Sequence, residues 1–144
     1  MRTLHLVDNS VIQRIHRCQS VFRAWSRLSA TGELATCLPT LLELGYSARS
    51  AADHATLISA QLAAAVLLAP VQPATAIDLQ TRLFRAGKGR AVGAADLQIA
   101  ATALDHSSAD TRVIVVHYDS DFDHLASVRP DLRCQWIVPQ GSVD

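Results

Sequence analysis

The chain has 144 residues, 49% of them hydrophobic, which is the length of one domain and enough apolar side chains for one core. Thirteen basic residues balance thirteen acidic ones, which excludes a global positive field that captures nucleic acid non-specifically, so any such contact must be local. The three cysteines, Cys18, Cys37 and Cys134, are odd in number and widely spaced with no Cys-x-x-Cys pair, which argues against a disulfide framework or a zinc site and fits a reducing compartment.

Residues 1–7 run directly into an apolar segment, without the long apolar region and small-residue cleavage site of a signal peptide. The most apolar stretch, residues 62–70, falls far short of the roughly 20 residues that span a bilayer. A cytoplasmic protein with no membrane role is expected.

In chain order, residues 3–7 predict a short strand ending at Asp8, and Asn9-Ser10 opens a helix with apolar side chains at Val11, Ile12 and Ile15. His5, inside that strand, reads as a satisfied core histidine. A second helix is predicted over 20–28, with Val21, Phe22, Trp25 and Leu28 on one face and Thr31-Gly32 as its stop. Phe22 and Trp25 there read as core or dimer contacts rather than a base-stacking platform. Residues 35–38 predict the next strand. Pro39 suits a first helical turn, so 40–49 reads as a helix carrying Leu41, Leu42, Glu43 and Leu44.

Asp53 is expected to cap the following helix, whose Leu57, Ile58, Leu62 and Val66 keep helical spacing until Pro70 and Pro73 interrupt it. A helix over 77–84 follows, then Gly87-Lys88-Gly89-Arg90 as a flexible basic loop, with neither the glycine spacing nor the terminal Lys-Ser/Thr of a phosphate-binding loop. Residues 94–104 predict a helix with Leu97, Ala100, Ala101 and Leu104 aligned, 113–116 a buried strand, 122–127 a short helix and 134–138 a last strand. Strands alternating with helices imply one α/β domain over 1–144, its parallel sheet covered on both faces.

Asp8 and Asp119 each follow a predicted strand, and the carboxyl ends of strands border the crevice where open parallel sheets bind ligands. Glu43 sits among leucines, and Asp96 lies near the start of a helix without the reciprocal Glu or Gln of a capping box, since the residue three positions on is Ile99. If Asp8, Glu43, Asp96 and Asp119 converge, with Asp121 nearby, several like charges share one pocket, and a cation resolves the conflict. Oxygen-only ligands favour a hard ion, Mg²⁺ or Mn²⁺. A water beside such an ion could attack a phosphodiester in line while the ion neutralises the phosphoryl oxygens, with a second ion about 4 Å away as an option. Asp123 reads as part of a polar turn, and the six histidines lack metal-ligand spacing.

The segments Leu6-Val7-Asp8-Asn9-Ser10, Leu42-Glu43-Leu44, Ala94-Ala95-Asp96-Leu97-Gln98-Ile99-Ala100 and His117-Tyr118-Asp119-Ser120-Asp121-Phe122 resemble, in order and spacing, the four acidic blocks of PIN-domain toxin ribonucleases of the VapC type. The resemblance covers essentially the whole chain. It implies a three-layer α/β/α sandwich with a short, mostly parallel central sheet, endonucleolytic cleavage of single-stranded RNA, dependence on Mg²⁺ or Mn²⁺, a homodimer, and neutralisation by a cognate VapB-like antitoxin. It also implies Asp8, Glu43, Asp96 and Asp119 as catalytic ligands, Asp121 as an auxiliary one, and Ser10 as the hydroxyl that orients Asp8 or a water. Asn9 departs from the commoner Thr or Ser, and His117 stands where many relatives carry Thr.

Two rival readings remain. A PIN-like module that binds RNA or protein without cutting has no reason to keep four carboxylates in its cleft. The Asp119-Ser120-Asp121 run also resembles the paired aspartates of haloacid-dehalogenase-type phosphatases, but that nucleophile follows the first strand and needs a Lys after a late one, whereas Lys88 is the sole lysine.

Overall fold

A computed structural model describes residues 1–70 and 72–144. Their five strands form one parallel sheet: β1 (Arg2–Val7), β2 (Glu33–Cys37), β3 (Val66–Leu68), β4 (Thr111–His117) and β5 (Cys134–Trp136), in the order β3-β2-β1-β4-β5. The helices are α1 (Asn9–Ile12), α2 (Gln19–Thr31), α3 (Leu38–Tyr46), α4 (Ala51–Ala64), α5 (Pro73–Arg85), α6 (Ala94–His106) and α7 (Asp121–Val128). The strand order grows outward from β1 to β3, then jumps back across β1 to β4. The crevice between the carboxyl ends of β1 and β4 is therefore the topological switch point of the sheet.

Strand side chains alternate between the two faces with period two. Leu4, Leu6, Ala35, Cys37, Val113 and Val115 join one core cluster, together with Leu79 and Leu83 of α5, Ala100 of α6 and Leu125 of α7. Val7, Leu34 and Val116 join a second cluster with Val11 of α1 and Val21 of α2. Both faces of the sheet are covered, which gives the α/β/α sandwich and explains the unbroken apolar run from Val113 to Val116 in β4. Helix α6 buries Leu97, Ile99 and the small residues Ala100, Ala101 and Ala103, while Gln98 is exposed and Asp96 is partly so.

Four local readings change. Val66 belongs to β3, not to the helix before it, because α4 stops at Ala64 with Ala65 already extended. Ser50, not Asp53, is the N-cap of α4: its side chain accepts from Asp53 N–H at 3.1 Å, while Asp53 Oδ2 accepts from the N–H of Arg49, one residue before the cap, at 2.9 Å. The 87–90 segment is a hydrogen-bonded helix terminator. Gly87, at φ +74°, lets Lys88 N–H reach Leu83 O at 2.8 Å and Gly87 N–H reach Phe84 O at 3.0 Å. His5 is only partly buried, and its Nδ1 has no partner among the described residues, so it is not a satisfied core histidine.

Phe22 is largely exposed, whereas Trp25 packs on the second cluster. No helix of the described residues is long and apolar enough to cross a membrane.

Leu6 is fully buried in the central strand. Leu6→Ala is expected to lower unfolding free energy by about 2–5 kcal/mol in urea titrations, and a loss under about 1 kcal/mol would contradict a close-packed site there.

Candidate metal centre

β1 ends at Val7, and Asp8 follows with its backbone N–H still donating to Val116 O of β4 at 2.9 Å. The ladder therefore holds Asp8 directly beside the end of β4. The Asp8 carboxylate caps α1 through Oδ2, which accepts from Ser10 N–H at 3.0 Å. Its other oxygen, Oδ1, is buried with no partner among the described residues. The Ser10 hydroxyl accepts from Tyr118 N–H at 2.9 Å, so it ties the first acidic loop to the last. Ser10 thus orients Asp8 through its backbone N–H, and its hydroxyl braces the other strand.

Asp119 starts a tight turn into α7. Its Oδ1 accepts from Asp121 N–H at 3.0 Å, and its own N–H donates to His117 Nδ1 at 3.2 Å. Asp96 is the third residue of α6, behind an N-cap Gly93 that offers no side chain, so Asp96 is free of a capping role. Glu43 reaches in from α3 with an exposed side chain. The five acidic residues singled out in the sequence converge. Donor oxygens of Asp8, Glu43 and Asp96 lie within 4.8 Å of one another, as do those of Asp96, Asp119 and Asp121. Asp96 belongs to both triads.

Burial and mutual repulsion make this arrangement hard on its own charge. The Asp96 carboxyl is pushed up to about 8, first by burial, then by Asp8 and Asp119, and then by contact with Asp121. Burial, partly offset by hydrogen bonds from Ser10, raises Asp8 as well. Glu43 is raised by burial and then by the charges of Asp8 and Asp119. Among the described residues the ion pairs lie elsewhere, Arg2 with Glu33, Arg82 and Arg129 with Asp78, and Arg129 with Asp131. Among the described residues no basic side chain forms an ion pair with the cluster.

An all-oxygen donor set, the unpartnered Asp8 Oδ1 and uncompensated negative charge suit a hard divalent cation. Oxygens on opposite sides of a Mg²⁺ stand about 4.2 Å apart, given bonds of about 2.1 Å, which is within the separation found here.

A cavity of about 530 Å³ opens beside the cluster, lined by Asn9 and Glu43 together with Leu38, Leu42, Tyr46 and Gln98. Asn9 Oδ1 is buried beside it with no partner among the described residues, a feature that its position between Asp8 and Ser10 did not disclose. Asp123 stays outside both triads. Its Oδ1 accepts from the indole N–H of Trp136 at 3.1 Å, which fixes Trp136 against the His117 ring. That bond joins α7 to β5 and leaves no local pattern in the sequence. His117 is fully buried, and burial pushes it down to about 4, so the ring is neutral at pH 7.

The sequence pattern of the PIN domain matches residues 6–128. Ribonuclease VapC51 of Mycobacterium tuberculosis is 37% identical over 145 residues, covering 100% of both chains. Ribonuclease VapC21 of the same species is 34% identical over 144 residues, covering 99% of each. Among solved structures, a chain of VapBC2 from Rickettsia felis bound to a promoter DNA fragment matches with a TM-score of 0.72 at 16% identity, covering 92% of this chain and 98% of that one. A chain of DNA-bound VapBC from Salmonella typhimurium matches with a TM-score of 0.71 at 19% identity, covering 96% and 100%. These last two likenesses concern the fold.

The perturbed groups give stability a signed pH dependence. Folded Asp96 titrates near 8 rather than 3.8, so across that window the folded chain holds the extra proton and loses stability as pH rises. His117 titrates near 4 rather than 6.5, so the folded chain lacks a proton and gains stability as pH rises to 6.5. The two oppose each other up to pH 6.5, and from there to 8 the carboxyl effect acts without that opposition. In EDTA the melting temperature is therefore expected to fall from pH 6.5 to 8, with a flatter profile for Asp96→Asn. A rising wild-type profile, or an unchanged slope in the variant, would count against this electrostatic picture.

Proposed function

The chain belongs to the PIN-domain family, and from that premise we propose that residues 1–144 act as one unit, a cytoplasmic metal-dependent endoribonuclease. In this reading it is the toxin of a type II toxin–antitoxin pair. The observation that carries the proposal is the pair of carboxylate triads sharing Asp96 at the β1/β4 switch point. The full-length relatives named as ribonucleases support the substrate class. The likeness in fold to chains of VapBC assemblies supports a cognate VapB-like antitoxin as partner, and the proposal takes a homodimer as the working form.

Asp8, Glu43, Asp96 and Asp119 would hold Mg²⁺ or Mn²⁺, with Asp121 auxiliary. When bound, the ion supplies Lewis acidity that eases deprotonation of a water and neutralises charge on the phosphoryl oxygens. The protein's own part is positional. Ser10 N–H keeps one Asp8 oxygen turned back onto α1 and leaves Oδ1 for the ion. The Ser10 to Tyr118 hydrogen bond keeps the Asp8 and Asp119 loops in register. Asp96 arrives on a rigid helix whose small residues lie in the same core cluster as the strand side chains, so its carboxylate has little room to retreat from its neighbours.

The rival readings find less support. A phosphatase of the haloacid-dehalogenase type needs a lysine at the aspartates, yet the Lys88 ammonium donates to Ser127 at 3.4 Å. Ser127 lies six residues along α7 from Asp121, roughly 9 Å away. A binding module without catalysis would gain from losing carboxylates that repel one another and repel RNA.

Purified protein is expected to cut RNA internally with Mg²⁺ or Mn²⁺ and to stop in excess EDTA. Asp8→Asn and Asp96→Asn should each lower the rate by at least about 100-fold while melting at or above the wild-type temperature, because each replaces a carboxyl that burial makes costly to ionise with a neutral amide. Cleavage that survives chelation, or variants as active as wild type, would overturn the proposal. Expression without a partner should slow growth in the wild type and not in either variant.

A further inference from the structure

His117 is the last residue of β4 and stands two positions before Asp119. Its ring lies between those of Phe122 and Trp136, each centroid 4.9 Å away. Trp136 in turn donates its indole N–H to Asp123, so the imidazole packs against Phe122 and against an indole tethered to α7. Within the described residues the ring makes one hydrogen bond, in which Nδ1 accepts from the Asp119 backbone N–H at 3.2 Å. An accepting Nδ1 places the ring proton on Nε2, which is buried with no partner among the described residues. Packing alone would not select this residue. Phenylalanine would keep the ring contacts and remove the stranded Nε2–H, giving up only the acceptor for Asp119 N–H, and stranding a buried donor opposes folding.

The bond to Asp119 is the first of two that set the turn. His117 Nδ1 holds Asp119 N–H, and Asp119 Oδ1 holds Asp121 N–H at 3.0 Å. One Asp119 oxygen is thereby committed to the backbone, so where the other faces depends on where the turn sits. Resting on the metal-site reading above, we infer that His117 is a positioning residue: its Nδ1 anchors the 117–121 turn and so holds the Asp119 and Asp121 carboxylates in place for the cation. The span from side chain to the N–H two residues on is one that an asparagine side-chain carbonyl also bridges. Asparagine thus keeps the acceptor without the ring, and phenylalanine keeps the ring without the acceptor.

That separation supplies the test. Mn²⁺ is titrated by calorimetry into the full chain as wild type, His117→Phe and His117→Asn, with thermal unfolding and RNA cleavage followed in parallel. His117→Phe is expected to bind Mn²⁺ about 10–100-fold more weakly without melting earlier, and to recover cleavage as Mn²⁺ approaches saturation. His117→Asn is expected to melt earlier, having lost its place between the two rings, yet to keep the wild-type Mn²⁺ affinity. Wild-type affinity in the Phe variant, or an Asn variant weakened as much as the Phe variant, overturns the assignment. Should His117→Phe fail to fold, His117→Leu, which also lacks an acceptor, takes its place under the same criteria. Wild type that binds no Mn²⁺ overturns the metal site and this role together, whereas equal affinity in all three proteins overturns only the role of His117.

Discussion

Carboxylates that repel one another, gathered where water is scarce, are the constraint that shapes this molecule. Asp8 is 3% exposed and Asp96 half-buried, and neither has an ion-pair partner among the described residues. Burial raises the cost of ionising each of three groups in the cluster, and the charges of their neighbours add to it, so the three move upward together. A fold tolerates such strain only if its surroundings over-determine the geometry and if binding something positive relieves it.

The surroundings do over-determine it. β1 and β4 share the longest register in the sheet, from Arg2 with Thr111 to Val7 with Val116, and Asp8 follows at once. The apolar faces of these two strands are packed on both sides, so neither can slide without moving a whole set of core side chains to the wrong face. Across the open ends of the strands, the Ser10 hydroxyl and Tyr118 N–H continue the connection beyond the last ladder bond. Arg14 adds a third tie, its guanidinium 4.7 Å from the Tyr118 ring centroid and donating to Ser10 O at 2.7 Å.

What could be read in the sequence follows from the range of the forces involved. Asp8 and Asp119 were legible because each ends an apolar run, and strand ends at a switch point are where sites lie. Glu43 and Asp96 were legible as acidic residues on apolar helices, but their convergence came from resemblance, since no local pattern reports a contact between α3 and α6. β3 was not legible. Val66, Leu67 and Leu68 extend the apolar spacing of the preceding helix, and only pairing with Ala35, Thr36 and Cys37 of β2 makes them a strand. The N-cap of α4 differs for a related reason: Asp53 and Ser50 are both good caps, and only the bond from Asp53 N–H to Ser50 Oγ decides which residue opens the helix. His117 was marked as a departure from relatives, while its acceptor role depends on Phe122 and Trp136, contacts that form only once β4, α7 and β5 are assembled.

The distribution of the acidic residues along the chain follows from the same repulsion. Carboxylates on one mobile loop would relax by swinging apart, and the loop would lose the geometry a small cation needs. Here each arrives on a separate rigid support: Asp8 at the end of β1, Glu43 on α3, Asp96 on the first turn of α6, and Asp119 with Asp121 on the turn from β4 into α7. The strands, α6 and α7 cannot move apart without opening one of the two cores that flank the sheet, and α3 is seated by its own buried Leu41 and Leu44. The packing energy of the whole sandwich thus stands behind the separations at the site, and the hydrophobic core acts as the spring that keeps like charges together.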